Sequence, residues 1–251
     1  MNTINYHDYE IRVEPDSNPQ DPRIDMDNLF TFIGDSESLG NPDAHLNPYF
    51  DFSGNLMVDI ANFFGNDYEE TETKKAFNWV KKNLIWFKVY MTNHSGYFFD
   101  LARGDKWDSG LFGALCVKKA DALEECSAKR VTKKVIEKLE KIARGELETY
   151  EAYVNGYIKS VSLYRNDNEV DSVHGVFDES VEYEIGEMKA IADSNLEKRN
   201  AASLTVLKEM LAKKEPLEKI RDAVVQVFNE EPKQVYYTYS QDAGGYVAVE
   251  K

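Results

Sequence analysis

Two hydrophobic periodicities share this chain, and together they restrict it to an α+β fold. In Asp8-Tyr9-Glu10-Ile11-Arg12-Val13-Glu14 charged and apolar residues alternate, the period-two signature of a half-buried strand. Such a strand turns Tyr9, Ile11 and Val13 to a core and Asp8, Glu10 and Glu14 outward. Leu84–Met91 is aromatic and β-branched and reads as a buried strand; after the turn Asn93-His94-Ser95-Gly96 the chain returns through Tyr97–Leu101. Leu111–Val117 is a further strand, entered through a glycine-bearing turn over 105–110. Helical spacing then takes over. Val131, Val135, Ile136, Leu139, Ile142 and Ala143 share one face, with Gly145 placed as a cap, and Glu146–Asn155 forms a second short helix stopped by Gly156. Tyr157–Tyr164 and Val170–Phe177 make a hairpin around Asn166-Asp167-Asn168. Two more helical stripes follow, Leu204/Leu207/Leu211 and Leu217/Ile220/Val224/Phe228, with Pro216 suited to a first turn. Val235–Tyr239 ends the series as a strand. The expected architecture is a mixed or antiparallel sheet with packed helices. Residues 1–195 are expected to form an acidic α+β core domain, and 196–251 a helical C-terminal extension ending in a strand.

Residues 15–55 are less regular. Five of the seven prolines fall here (Pro15, Pro19, Pro22, Pro42, Pro48) among Asn, Asp, Ser and Gly, so the segment is loop with short strands and turns, Leu29–Ile33 being one such strand. Asp67–Val80 is expected to be helical, its acidic start and basic end matching the helix dipole.

The charge is as uneven as the periodicity. Residues 1–73 hold 16 acids against Arg12 and Arg23, a net of −14, whereas the whole chain carries −15. This excess excludes a general binder of nucleic acid or anionic membrane, because like charge repels phosphate. No apolar run reaches the roughly 18–20 residues that span a bilayer. The N-terminus lacks the basic and apolar regions of a signal peptide, and Cys116 and Cys126 are too few for a disulfide framework. A soluble, intracellular protein is expected.

The stretch Ile11-Arg12-Val13-Glu14-Pro15-Asp16-Ser17-Asn18-Pro19-Gln20-Asp21-Pro22-Arg23, followed by Asp27-Asn28-Leu29, begins a series of motifs. His94-Ser95-Gly96, Trp107-Asp108-Ser109-Gly110, Gly145-Glu146-Leu147-Glu148-Thr149-Tyr150 and Glu169-Val170-Asp171-Ser172 continue it, with Gly175 and Phe177 closing it. In order and spacing these resemble a family of mostly uncharacterised phage and prophage accessory proteins, over roughly residues 10–180. The chain departs from the family pattern at Met26, at Asn93 and at Val173-His174. The resemblance implies a viral accessory protein and carries over no reaction, cofactor or catalytic residue.

Catalytic and metal chemistry find little footing. His94, Asp108, Ser109 and His174 lie at turns or strand ends and could serve a hydrolytic or small-molecule-binding site, yet Asp-Ser-Gly and His-Ser-Gly are also good turn formers. The Gly-x-Ser-x-Gly elbow, a phosphate-binding loop and paired His or Cys ligand spacings are all absent from the sequence. No cofactor and no metal are expected. Lys118-Lys119, Lys129-Arg130 and Lys133-Lys134 form a basic stretch without interleaved aromatics, either a solvated helix face or a docking surface for acidic groups. Tyr236-Tyr237-Thr238-Tyr239 would leave one aromatic face open on a strand, a route to self-association or to a role in virion assembly.

The leading expectation is therefore a phage-encoded, non-enzymatic inhibitor working in the host cytoplasm. It would bind a host nucleic-acid-handling defence protein, of the kind targeted by anti-CRISPR or anti-restriction factors, through a phosphate-mimicking surface. The residues expected to make that contact are Asp8, Glu10, Glu14, Asp16, Asp21, Asp25, Asp27, Asp35 and Glu37, with no direct contact to nucleic acid.

Overall fold

The computed structural model describes residues 2–104, 109–230 and 232, together with the backbone of 235–240 and 245–250. Along the chain run β1 (Asn2–Tyr6), β2 (Tyr9–Pro15), α1 (Pro22–Asp25), β3 (Thr31–Gly34), α2 (Leu56–Phe63), α3 (Thr73–Asn83), β4 (Leu84–Asn93), β5 (Tyr97–Asp100) and β6 (Ser109–Lys118). After these come α4 (Lys119–Glu125), α5 (Lys133–Val154), β7 (Lys159–Arg165), β8 (Asn168–Val176), α6 (Val181–Ala212), α7 (Leu217–Asn229), β9 (Val235–Ser240) and β10 (Gly245–Glu250). The class is α+β, and every strand pairing with a described register is antiparallel.

The chain divides into two compact units, residues 1–14 with 159–251 and residues 15–158. The boundary expected at 195/196 falls inside α6, a single helix of 32 residues. In the first unit the sheet order is β1-β2-β7-β8. Both hairpins close on two-residue turns: His7-Asp8 joins Tyr6 to Tyr9, and Asn166-Asp167 joins Arg165 to Asn168. Asn166 and Asp167 both take positive φ, 50° and 62°, the conformation that follows the twist of a tight hairpin. Tyr9, Ile11, Val161, Leu163 and Val176 form the buried face of this sheet, packed against Ile185, Met188 and Ala192 of α6. The alternation read in 8–14 is present over 9–12, where Tyr9 and Ile11 are buried and Glu10 and Arg12 half-buried; Val13 and Glu14 are both half-buried, and Asp8 lies in the turn before the strand.

In the second unit the order is β3-β6-β4-β5. One face, through Phe32, Phe112, Leu115 and Val117, meets Val135, Leu139, Ala143, Leu147 and Tyr150 of α5. The other, through Ile33, Ala114 and Cys116, meets Val58, Ile60 and Ala61 of α2 and Ala76 and Val80 of α3. Residues 131–155 differ from expectation. The helix expected to stop at Gly145 runs on through it as α5 and ends at Asn155 and Gly156, where φ turns positive at 67°. An exposed glycine costs a helix stability but keeps its hydrogen bonds, so apolar contacts on either side carry the helix across. Likewise α3 starts at Thr73, a short 3-10 turn over Glu70–Glu72 preceding it.

Both edges of this second sheet are closed by side chains. On β5, the Asn155 amide accepts from Tyr97 N–H at 2.8 Å and donates to the Tyr97 carbonyl at 2.7 Å, and Glu151 accepts from Phe99 N–H at 2.9 Å. At the β3 edge, Asp43 accepts from Phe32 N–H at 2.7 Å, and Glu146 accepts from Leu29 and Phe30 N–H at 2.8 and 3.2 Å. An open edge offers a row of unpaired amides and carbonyls to any other strand, and these plugs remove the offer.

Candidate acidic interaction surface

The nine acids expected to contact a partner divide between the two units. Asp8, Glu10 and Glu14 belong to the first; Asp16, Asp21, Asp25, Asp27, Asp35 and Glu37 belong to the second. Asp8 is not a free outward charge. It sits in the β1–β2 turn, where Arg199 grips both its oxygens at 2.8 Å and Arg165 donates at 2.7 Å. Both arginines are buried, and they also donate to the Phe228 and Asn229 carbonyls at the end of α7. The Arg199 guanidinium, then Arg165, hold the Asp8 carboxyl well below the usual carboxylate range. Asp8 thus ties the first hairpin to β7, α6 and α7. Glu10 is likewise engaged, accepting from Arg12 at 2.8 Å. Beside them, a cleft of about 300 Å³ is lined by Asn5, His7, Glu10, Tyr164, Asn166 and Asp167 among others. His7 Nε2 lies 2.8 Å from Asp193 Oδ1, with the Tyr6 hydroxyl also donating to Asp193.

The second unit spends its acids in two ways. Some are structural. Asp21 caps α1 by accepting from Arg23 N–H at 2.8 Å, and Asp16 accepts from Asn18 N–H at 3.0 Å. Asp59 accepts from both the amide and the hydroxyl of Ser53 at 2.7 Å. Asp43 is buried and binds Arg23 through two parallel bonds of 2.7 and 2.9 Å. The same guanidinium reaches Asn28 at 2.9 Å, Glu146 at 3.1 Å and the Phe30 carbonyl at 2.6 Å, so every arm of the Arg23 fork is used. Burial pushes the Glu146 carboxyl up, against the pull of Arg23 and the two amides it caps. Arg23 itself stays above its ordinary value, Asp43 and Glu146 outweighing the effect of burial. The fold brings Asn28 and Glu146, both half-buried, to the buried Arg23 guanidinium.

The remaining acids carry no counter-charge. Asp25, Asp27, Asp35, Glu37, Asp51, Asp67, Glu69 and Glu70 are exposed, and none takes part in an ion pair among the described residues. Two of them also cap locally: Asp25 accepts from Asp21 N–H at 2.9 Å, and Glu69 forms a capping box with Glu72 at the start of the 3-10 turn.

The alternative constellation draws on both units. His94 is exposed in the β4–β5 turn of the second unit, Ser109 is buried at the start of β6, and His174 is on β8 of the first unit. Asp108 lies outside the described residues, as do the side chains of Tyr236–Tyr239. Among the described residues no three His, Cys, Asp or Glu side chains cluster as metal ligands would. Cys116 is buried in β6, and burial pushes its thiol well up. No helix among the described residues is long and apolar enough to cross a membrane. Compared with known proteins, the chain matches no family model, no curated protein and no solved structure.

Sequence reasoning missed the Asp8–Arg165–Arg199 and Arg23–Asp43–Glu146 clusters. Their members lie up to 191 residues apart, and nothing local marks an arginine as buried. Arg23 alone carried a signal, as one of only two bases among the first 73 residues.

Proposed function

We propose that this protein is a non-enzymatic, phage-encoded accessory factor that binds and inhibits a host nucleic-acid-handling defence protein. The exposed acids between Asp25 and Glu70 stand in for phosphates. The observation that carries this reading is the contrast within residues 1–73. Several acids there are buried or held by arginine or lysine, while eight in the second unit, two of which also cap a turn, are exposed without an ion pair among the described residues. Unpaired surface acids disfavour the compact state by self-repulsion, and they raise the rate of encounter with a basic surface. Eight charges match the phosphate charge on roughly 14 Å of duplex. Similarity to phage accessory proteins supports the viral setting, with action in the host cytoplasm. Asp8 and Glu10 are engaged by arginines, which leaves Asp25, Asp27, Asp35 and Glu37 as the first residues to test.

The experiment is affinity capture from bacterial lysate with wild type and with the Asp25→Asn/Asp27→Asn/Asp35→Asn/Glu37→Gln variant, at low and at high salt, read by mass spectrometry. A nucleic-acid enzyme recovered by wild type at low salt, and lost both at high salt and with the variant, is the expected result, since exposed charge pairing is screened. Circular dichroism should show the variant folded as wild type. Recovery of only the protein itself, of virion components, or of an enzyme indifferent to the variant would overturn the reading.

A further inference from the structure

Where the second unit's sheet ends, its charge changes sign. The β4–β6 register sets Lys118 opposite Leu84, two residues after Lys82 at the end of α3. Lys119 starts α4, and its ammonium is committed, donating to the Lys81 and Lys82 carbonyls at 2.6 and 2.9 Å. Those bonds close the C-terminal end of α3 and hold the corner together. Between these elements lies a cleft of about 420 Å³. Phe64 and Trp79 line it, their ring centroids 6.5 Å apart and tilted by 42°, and Leu84 adds to the apolar lining. Lys82 and Lys118 also line it; both are exposed, and neither forms an ion pair among the described residues. No carboxylate is among the lining residues.

We infer that this cleft binds a small aromatic anion, a flat ring carrying a phosphate or carboxylate group. The half-buried rings of Phe64 and Trp79 offer an apolar face for stacking, which is tolerant of ring identity. The free ammonium groups of Lys82 and Lys118 supply charge complementarity at the rim. The volume falls within the roughly 300–1,000 Å³ of small-molecule sites. Overall charge decides against a polyanion. A chain of −15 repels an extended nucleic acid over a distance set by the salt, whereas a small mono- or dianion needs only the local field of the two lysines. None of the acidic residues proposed to meet a protein partner lines this cleft.

Three probes separate the contributions: 1-naphthyl phosphate has ring and charge, 1-naphthol the ring alone, and inorganic phosphate the charge alone. Calorimetry on the full chain should show naphthyl phosphate binding at least about ten-fold more tightly than either of the others. The Trp79 indole N–H resonance, assigned by comparison with Trp79→Phe, should shift on titration. Lys82→Glu/Lys118→Glu should weaken naphthyl phosphate by about ten-fold or more and leave 1-naphthol unchanged. Both lysines are exposed, so the melting curve should be unaltered; if it is not, Lys82→Gln/Lys118→Gln gives the same comparison without charge reversal. Equal binding of naphthyl phosphate and naphthol, unchanged affinity in the lysine variants, or an unmoved Trp79 resonance would overturn the assignment.

Discussion

Burial of its arginine partners decides what the Asp8 carboxylate does. Asp8 keeps 40% of its side chain exposed, yet Arg165 and Arg199, at 3% and 1%, depend on it. A buried guanidinium that loses its counter-charge costs more than the pair ever contributed. Asp8→Asn should therefore destabilise the protein by about 3 kcal/mol at neutral pH, the low end of the range for broken buried pairs because Asp8 is itself screened. The pH dependence has a definite sign. The folded carboxyl is held below its unfolded value of about 4, so its stabilisation is complete above that pH and is lost as pH falls through the lower folded value. Urea titrations of wild type and Asp8→Asn should stay separated by a constant gap from pH 7 to about pH 4.5 and converge below it. A gap that never appears would show that the arginines do not depend on Asp8, and one that stays constant into strong acid would show that the cost of the substitution is not the lost charge. None of this was readable locally: period-two patterning places Asp8 in an outward-facing series with Glu10 and Glu14, and says nothing of two arginines 157 and 191 residues away.

At the scale of elements, local pattern predicted strands better than helix ends. The paired runs at 84–101 and 157–177 appear as β4–β5 and β7–β8 because alternation and turn chemistry agree there. Short α2 went unseen, its apolar residues Leu56, Met57, Val58 and Ile60 set in a segment dominated by Pro, Asn and Gly. Gly145 misled in the other direction, since a glycine after a helical stripe is the usual mark of a C-terminal cap. Two glycines show how space rather than pattern decides. At Gly113 a Cβ would fall 2.0 Å from the Ile33 carbonyl oxygen, so β3 and β6 approach too closely for any side chain. At Gly145 a Cβ would meet nothing within 4 Å. Gly145→Ala should thus stabilise α5 by roughly 0.5–1 kcal/mol, relieving the entropy cost of glycine inside a helix. Thermal unfolding should rise by a few degrees. A fall instead would mean that the helix is broken at 145, as the sequence pattern alone suggests.

The whole molecule is organised by an insertion, which is why neither charge nor composition located its units. The acidic region ends near residue 73 and the last helical stretch was set off at 196, yet compactness divides the chain after 14 and after 158. Residues 2–13 pair among themselves, and β2 then lies beside β7, a neighbour that becomes adjacent only when 144 intervening residues are folded away. Each core cluster draws on one unit alone: the first sheet packs on α6, the second on α5, α2 and α3. The intervening segment also closes on itself, Asp16 N–H donating to the Ile158 carbonyl at 2.9 Å, so its two ends enter and leave side by side. Insertions with adjacent termini and a private core commonly fold unaided. The excised fragment 15–158 should melt cooperatively and give a dispersed amide spectrum, while the full chain with 15–158 replaced by a short Gly/Ser linker should retain the β1-β2-β7-β8 sheet. Because the eight unpaired acids all lie in 15–158, the fragment should also recover the same salt-sensitive partner as the whole chain. A fragment that collapses without dispersion would show that its two cores need the rest of the molecule. A folded fragment that recovers nothing would place the contact on the first unit and remove the unpaired acids from the proposed function.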